Sequence, residues 1–246
     1  MSDTIIQECK TNGYSLVRGF LNGAELEQLQ SALLQLAMSF CGKLGAEALN
    51  VTDTEIDRLF VDILQRKPEW QSLLYQRLQQ IPFALAVPAL PQVQNLAKRL
   101  LGSEAIGVWP RVQIRLDLLD DKVNHIKWHH DYLYNRGTQD SFTFWIPLVD
   151  FDESMGLLQI ATGSHISADS FRFDRTGDSS RFDYNLSQDQ VDRLEIEVPS
   201  YYEAGDLVVF NSKTIHSGAL NTNPGRARLT LLFRLQNLHT LEGLQP

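Results

Sequence analysis

Residues 201–234 read YYEAGDLVVFNSKTIHSGALNTNPGRARLTLLFR. Two strand-like runs, DLVVFN (206–211) and RLTLLFRL (228–235), enclose a polar connection punctuated by Asn, Gly and Pro. Short apolar runs bounded by turn formers suit strands of an antiparallel sheet. Working outward, the same texture recurs in VWPRVQIRLDL (108–118), DSFTFWIPLVDF (140–151), GLLQIA (156–161) and RLEIEVP (193–199). So many short strands argue for a sandwich or barrel rather than a parallel α/β sheet.

The first hundred residues are patterned differently. Residues 21–36 (LNGAELEQLQSALLQL) space leucine and alanine at helical intervals, with Asn22 as the cap and Glu25 in the first turn. Residues 52–65 repeat the pattern, with Thr52 as cap and Ile56, Leu59, Phe60, Ile63 and Leu64 on one face. Residues 69–80 and 93–101 read as two more helices, and 13–20 as a short strand. Residues 165–192 are polar and nearly free of aliphatic side chains, which predicts a long surface loop or lid. The expectation is one domain over residues 1–246, mainly β with flanking helices. Residues 1–102 supply helical support and 103–240 the β core. The apolar faces of the helices are explained by packing on an outer sheet, and oligomeric state is not readable.

Composition narrows the function. The 246 residues carry 22 Lys and Arg against 30 Asp and Glu, a formal net charge of −8. Phosphate backbones need clustered positive charge, so nucleic acid is not an expected partner. Two cysteines, Cys9 and Cys41, make no disulfide framework. The N-terminus lacks the pattern of a secretory signal and no run approaches the length of a membrane helix, so a soluble, cytoplasmic protein is expected. The serine-hydrolase elbow, P-loop and dinucleotide glycine signatures are absent.

Chemistry concentrates in residues 127–134, KWHHDYLY. In an extended strand, residues i and i+2 point to one face, so His129 and Asp131 can converge while His130 turns away. His216, just after the run 206–211, offers a third ligand. Two histidines and a carboxylate form the facial triad of mononuclear non-haem Fe(II) oxygenases. Spacing alone leaves a second reading open, in which His129 merely bonds Asp131 and His216 is a satisfied loop histidine. Arg226 opens the run RARLTLLFR; an inward guanidinium there calls for an anion, and a carboxylate is its natural bidentate partner.

Taken together, these segments resemble the phytanoyl-CoA dioxygenase-like (PhyH) family of Fe(II)/2-oxoglutarate-dependent oxygenases. The family's W-H-x-D-x-x-Y pattern reads here as Trp128, His129, His130, Asp131 and Tyr134. Its tryptophan-bearing strand and acidic turn read as FTFWIPLVDFDESMGLLQIATGSH (142–165), and its opening strand and helix as NGYSLVRGFLNGAELEQLQSAL (12–33). The resemblance implies a double-stranded β-helix (a cupin-like jelly roll) with an N-terminal helical region. It implies Fe(2+) held by His129, Asp131 and His216, with 2-oxoglutarate and O2 as cosubstrates. Arg226 would bind the far carboxylate of 2-oxoglutarate, with Arg228, of the same parity, as the alternative; Trp145 and Gln113 would line the cosubstrate pocket. The family's serine two residues after the distal histidine is here Gly218.

The implied activity is oxidation, chiefly hydroxylation, of a small molecule, coupled to decarboxylation of 2-oxoglutarate to succinate and CO2. Related halogenases replace the carboxylate ligand by a small residue, so Asp131 argues against halogenation. The rival readings are a jelly-roll metalloenzyme without 2-oxoglutarate and a non-catalytic binding protein. The substrate is not legible. Arg172, Arg175, Arg181, Lys122 and Lys127 could meet an acidic group, but Asp169, Asp174, Asp178 and Asp183 make a solvated face the simpler reading. Phe171, Phe173 and Phe182 either cap a substrate or dock the loop, and His165 is expected to bond backbone at the loop's base.

Overall fold

The computed structural model describes residues 2–44, 55–122, 125–135, 137–175 and 184–240. In chain order come helix α1 (Ser2–Thr11), strand β1 (Tyr14–Val17), and helices α2 (Gly23–Leu44), α3 (Ile56–Arg66), α4 (Gln71–Leu78), α5 (Pro82–Ala86) and α6 (Pro91–Leu101). Strands β2 (Ile106–Val108), β3 (Gln113–Asp117), β4 (Ser141–Pro147), β5 (Phe151–Asp152) and β6 (Leu158–Ala161) follow. The chain closes with β7 (Asp174–Arg175), β8 (Tyr184–Asn185), β9 (Ile196–Glu197), β10 (Tyr201–Tyr202), β11 (Leu207–Asn211), β12 (His216–Gly218) and β13 (Arg228–Asn237).

Helix α2 starts where the cap pattern predicts. Asn22 Oδ1 accepts from the Glu25 amide (3.0 Å), and Glu25 Oε2 accepts from the Asn22 amide (3.1 Å), a reciprocal capping box. The helix runs on to Leu44, past the expected end, with Ala37, Phe40 and Cys41 buried in its last turns. The predicted Thr52 cap lies outside the described residues. Helices α1 and α5 were not expected: α1 is polar with few apolar anchors, and α5 occupies the proline-broken stretch by placing Pro82 in its first turn, where no amide bond is lost.

Among the described residues the major sheet has the order β1-β11-β4-β13-β2, with β3 also paired to β13, and a minor sheet has the order β12-β6-β9. Every named pair is antiparallel. The antiparallel pairing is what the strand texture predicts, and the fold is the jelly roll that the family resemblance implies. Strand β4 is buried along its whole length and β13 over residues 228–235, because helix α6 packs on one face, with α4 beside it on β3, while the other face lines a cavity. That explains runs too continuously apolar for a half-solvated sheet. On β13, Leu229, Leu231, Phe233 and Leu235 alternate with Arg228, Leu232 and Arg234, and the latter three line the cavity. Phe233 and Phe144, opposite each other on adjacent strands, stack at 5.2 Å. The free edge of β3 is covered rather than left open. Gln79, just after α4, donates to the Ile114 carbonyl (2.7 Å) and accepts from its amide (3.1 Å), as a neighbouring strand would.

The predicted long loop contains short pieces of order: a helical turn at Ser164–Ser167, the β7/β8 ladder and a turn at Gln188–Val191. Phe171 and Phe173 are half-buried against a small cluster of Ala161, Leu186 and Ile215, so they dock the loop. Arg172 pairs with Asp174 on the surface and His165 Nε2 lies 3.2 Å from the Lys10 carbonyl. Arg181, Asp178, Phe182 and Asp183 lie outside the described residues. Among the described residues, no helix is long and apolar enough to cross a membrane.

Candidate metal centre

His129 and His216 are joined through their backbones. The His129 amide donates to the His216 carbonyl (3.0 Å) and the His216 amide returns the bond (2.8 Å), forming a single antiparallel bridge beside β12. Residues paired in this way project side chains to the same face, and the two rings stand 4.3 Å apart. The extended conformation ends immediately afterwards: Asp131 begins a 3-10 turn, Asp131–Leu133. Even so, its carboxylate converges as the i, i+2 spacing predicts. Oδ1 lies 3.6 Å from His129 Nε2 and 3.9 Å from His216 Nε2. His130 turns the other way and meets the Phe173 ring edge-on at 4.9 Å.

The tautomers suit metal binding. His129 Nδ1 lies 2.6 Å from the Lys127 carbonyl and His216 Nδ1 lies 2.9 Å from the Thr214 carbonyl. A carbonyl can only accept, so each Nδ1 carries the proton and each Nε2 presents a lone pair to the shared space. Burial, and then the neighbouring His129, push the His216 imidazole down to about 3, so it is neutral at ordinary pH. Burial opposes ionisation of Asp131, but the Arg234 charge, the His129 contact and His216 outweigh it, and the carboxyl stays well below the usual carboxylate range. One anionic oxygen and two neutral imidazole nitrogens, all buried and within 4.8 Å of one another, are a donor set for a divalent ion. Bonds of about 2.1 Å at right angles would set such donors about 3 Å apart, so small side-chain adjustments suffice. The residues fit the ion that the sequence implies.

The cavity runs from this triad to a second charged group. Arg228 donates to Asp117 Oδ2 from Nε (3.2 Å) and Nη2 (3.1 Å), and to the Ala219 carbonyl from Nη1 (3.2 Å). Nη1 also donates to the Gly156 carbonyl. Gly156 sits at φ +79°, and a Cβ there would collide with the Ala219 carbonyl, so only glycine allows this approach. Arg115 takes the other oxygen of Asp117 at 2.7 Å. Burial disfavours the Asp117 anion, but Arg115 and Arg228 override that and bring its carboxyl down to about 2.

The structure separates the two arginine candidates. Arg226 does not line the cavity. Its Nε donates to Asp57 (2.5 Å) and its Nη1 to Glu55 (2.9 Å), tying the loop before β13 to helix α3. The expectation placed it at the start of a buried strand, but β13 begins two residues later, at Arg228, and Arg228 is the one that faces inward. Trp145 lines the cavity and packs edge-on to Tyr202 at 5.0 Å. Gln113 is not among the lining residues; its amide lies against Arg111. Gly218 stands beside Arg228, where a Cβ would come within 3.0 Å of Nη2. Among the cavity residues missed in the sequence are Arg115, Asp117, Thr143 and Arg234. Arg234 shares parity with Arg228 on one strand, and that parity was the available signal.

The phytanoyl-CoA dioxygenase (PhyH) family profile matches residues 9–229. The chain belongs to this family. Its members are Fe(II)/2-oxoglutarate-dependent oxygenases. No curated protein matches the chain significantly. The epimerase SnoN of nogalamycin biosynthesis, solved with Fe3+, alpha-ketoglutarate and nogalamycin RO, is similar with a TM-score of 0.60 at 16% identity, over 100% of this chain and 91% of SnoN. EctD from S. alaskensis, solved with 2-oxoglutarate and 5-hydroxyectoine, gives 0.63 at 16% identity, over 97% and 77%. The carbocyclase SnoK gives 0.58 at 20%, over 96% and 84%. At these identities the likenesses establish the fold of this PhyH member.

Proposed function

We propose that this chain is an Fe(II)- and 2-oxoglutarate-dependent oxygenase that hydroxylates a small molecule. The observation that carries the reading is the pair of histidines whose Nδ1 protons are given to backbone carbonyls, leaving two lone pairs and the Asp131 Oδ1 aimed at one point. His129, Asp131 and His216 would hold iron, which when bound supplies the oxygen-activating redox chemistry. Arg228 replaces Arg226 as the partner of the cosubstrate's far carboxylate. Two guanidiniums, Arg115 and Arg228, hold the carboxylate of Asp117 between them at that end. The space left by Gly218 gives a ligand access to Nη2 of Arg228. Trp145 closes one side of the cavity and helps exclude water. Asp131 occupies the position a halide would need, which supports hydroxylation over halogenation.

The test is anaerobic addition of Fe(II) and then 2-oxoglutarate, following the visible charge-transfer absorption of the chelate. The band should require both additions and be absent in His216→Ala. Asp131→Ala should lose turnover of 2-oxoglutarate to succinate altogether. Iron binding without the band would remove 2-oxoglutarate from the reading, and a product that gains no oxygen atom from 18O2 would replace hydroxylation with another oxidation.

A further inference from the structure

Arg234 is a buried charged side chain in direct contact with a candidate ligand, and the proposed reaction does not use it. Its Nε donates to Asp131 Oδ2 (2.9 Å) and its Nη2 to Oδ1 (2.7 Å), a two-pronged grip on the carboxylate. Thr143 Oγ1 donates to the same Oδ2 at 2.5 Å. Arg234 and Thr143 are opposite partners on the central strands β13 and β4, so the grip is built into the rigid part of the sheet. An ionised carboxylate has about four acceptor sites, two on each oxygen. Three are filled by Arg234 and Thr143. The fourth, on Oδ1, is the side that faces His129 Nε2 and His216 Nε2.

We infer that Arg234 is a positioning residue that restricts Asp131 to one-oxygen ligation, and so keeps open a coordination position that a chelating cosubstrate needs. The inference deepens the proposed function and rests on it. Asp131 could otherwise rotate and embrace the ion with both oxygens, closing one of the three positions left by a facial triad. The grip has a second effect. With two neutral histidines, the Asp131 charge is offset by the guanidinium, so the metal-free cavity buries no uncompensated anion. The same positive charge stands close to any bound dication and repels it. Arg234 therefore trades metal affinity for an open coordination sphere.

The two effects predict opposite shifts on removing Arg234, which a merely structural role does not. The experiment uses the full chain and measures Co(II) binding by calorimetry and 2-oxoglutarate binding to the metal-loaded protein. In Arg234→Met, Co(II) should bind more tightly, by about threefold or more, while 2-oxoglutarate binds about tenfold or more weakly, within the range seen for outer partners of metal ligands. Arg234→Lys keeps the charge but grips one oxygen. There Co(II) affinity should stay within about twofold of the wild type, with 2-oxoglutarate weakened by about threefold. Thr143→Val loses one hold on Oδ2 and should shift both affinities in the Met variant's directions, by less.

Parallel weakening of metal and 2-oxoglutarate would overturn the inference, leaving Arg234 a scaffold residue. Unchanged 2-oxoglutarate affinity in both Arg234 variants would overturn it as well. If Arg234→Met does not fold, the Lys and Val variants decide. A wild-type protein that binds Co(II) but no 2-oxoglutarate would defeat the proposed function instead, and the Co(II) arm would still judge the grip on Asp131.

Discussion

Strand β13 carries two buried arginines, Arg228 and Arg234, and each is paired with a buried aspartate, yet the two ends of the cavity are left with opposite characters. At one end a single guanidinium holds Asp131, and one lone pair of Oδ1 remains for an electrophile. At the other, Asp117 is divided between Arg228 and Arg115, so two guanidiniums meet across one carboxylate. In the proposed reading, the same residue pair would make a cation seat in one place and an anion seat in the other. What would decide is how many guanidiniums meet each aspartate and which neutral groups stand nearest it.

The contrast can be broken at the anion end first. Arg228→Met should raise the Kd for 2-oxoglutarate by up to about 100-fold, the value of a charge-assisted hydrogen-bonded pair, while Co(II) affinity stays at the wild-type level. An equal effect on metal would mean the two ends are not separate seats. Arg226→Met sharpens the same distinction. It strips the fully buried Asp57 of its main partner and should lower unfolding stability by about 2–3 kcal/mol, reduced from the cost of a wholly buried pair because Arg226 is 17% exposed, with 2-oxoglutarate affinity unaltered. A loss of cosubstrate affinity in that variant would return Arg226 to the site. The smallest effect concerns acid. The Asp117 carboxyl titrates at about 2 when folded, below its unfolded value, so its contribution of about 2 kcal/mol is present above pH 4 and lost as pH falls toward 2. The stability gap between wild type and Asp117→Asn should narrow over that interval; a gap that stays constant would mean the arginines do not hold the anion.

What was legible in the sequence follows the range of the interactions involved. His129 and Asp131 are two residues apart, and their convergence needs only local extended geometry. His216 could be placed because a strand precedes it. The capping box at Asn22 and Glu25 spans three residues and was equally readable. Arg226 and Arg228 share parity, and the choice between them depends on Asp57, which lies 169 residues from Arg226 and captures it. No local pattern carries that information. Arg234 was hidden for the opposite reason: in an apolar run, a lone arginine looks like a strand end, and although its parity with Arg228 gives its direction, its partner follows only from the register against Thr143 and the reach to Asp131. Gln113 was assigned by strand alone, and its neighbour Arg111 takes its amide.

The reciprocal backbone bonds between His129 and His216 bear on when the ion arrives. In small zinc modules the ligands are scattered until the metal gathers them, and chelators unfold the chain. Here two of the three donors are already fixed by main-chain bonds, and the third is held by β4 and β13. The conformational entropy of assembling the seat is lost during folding, before any ion binds. Loading is thereby a late and separable event. A chelator should empty the protein without melting it, and added iron should find the seat intact.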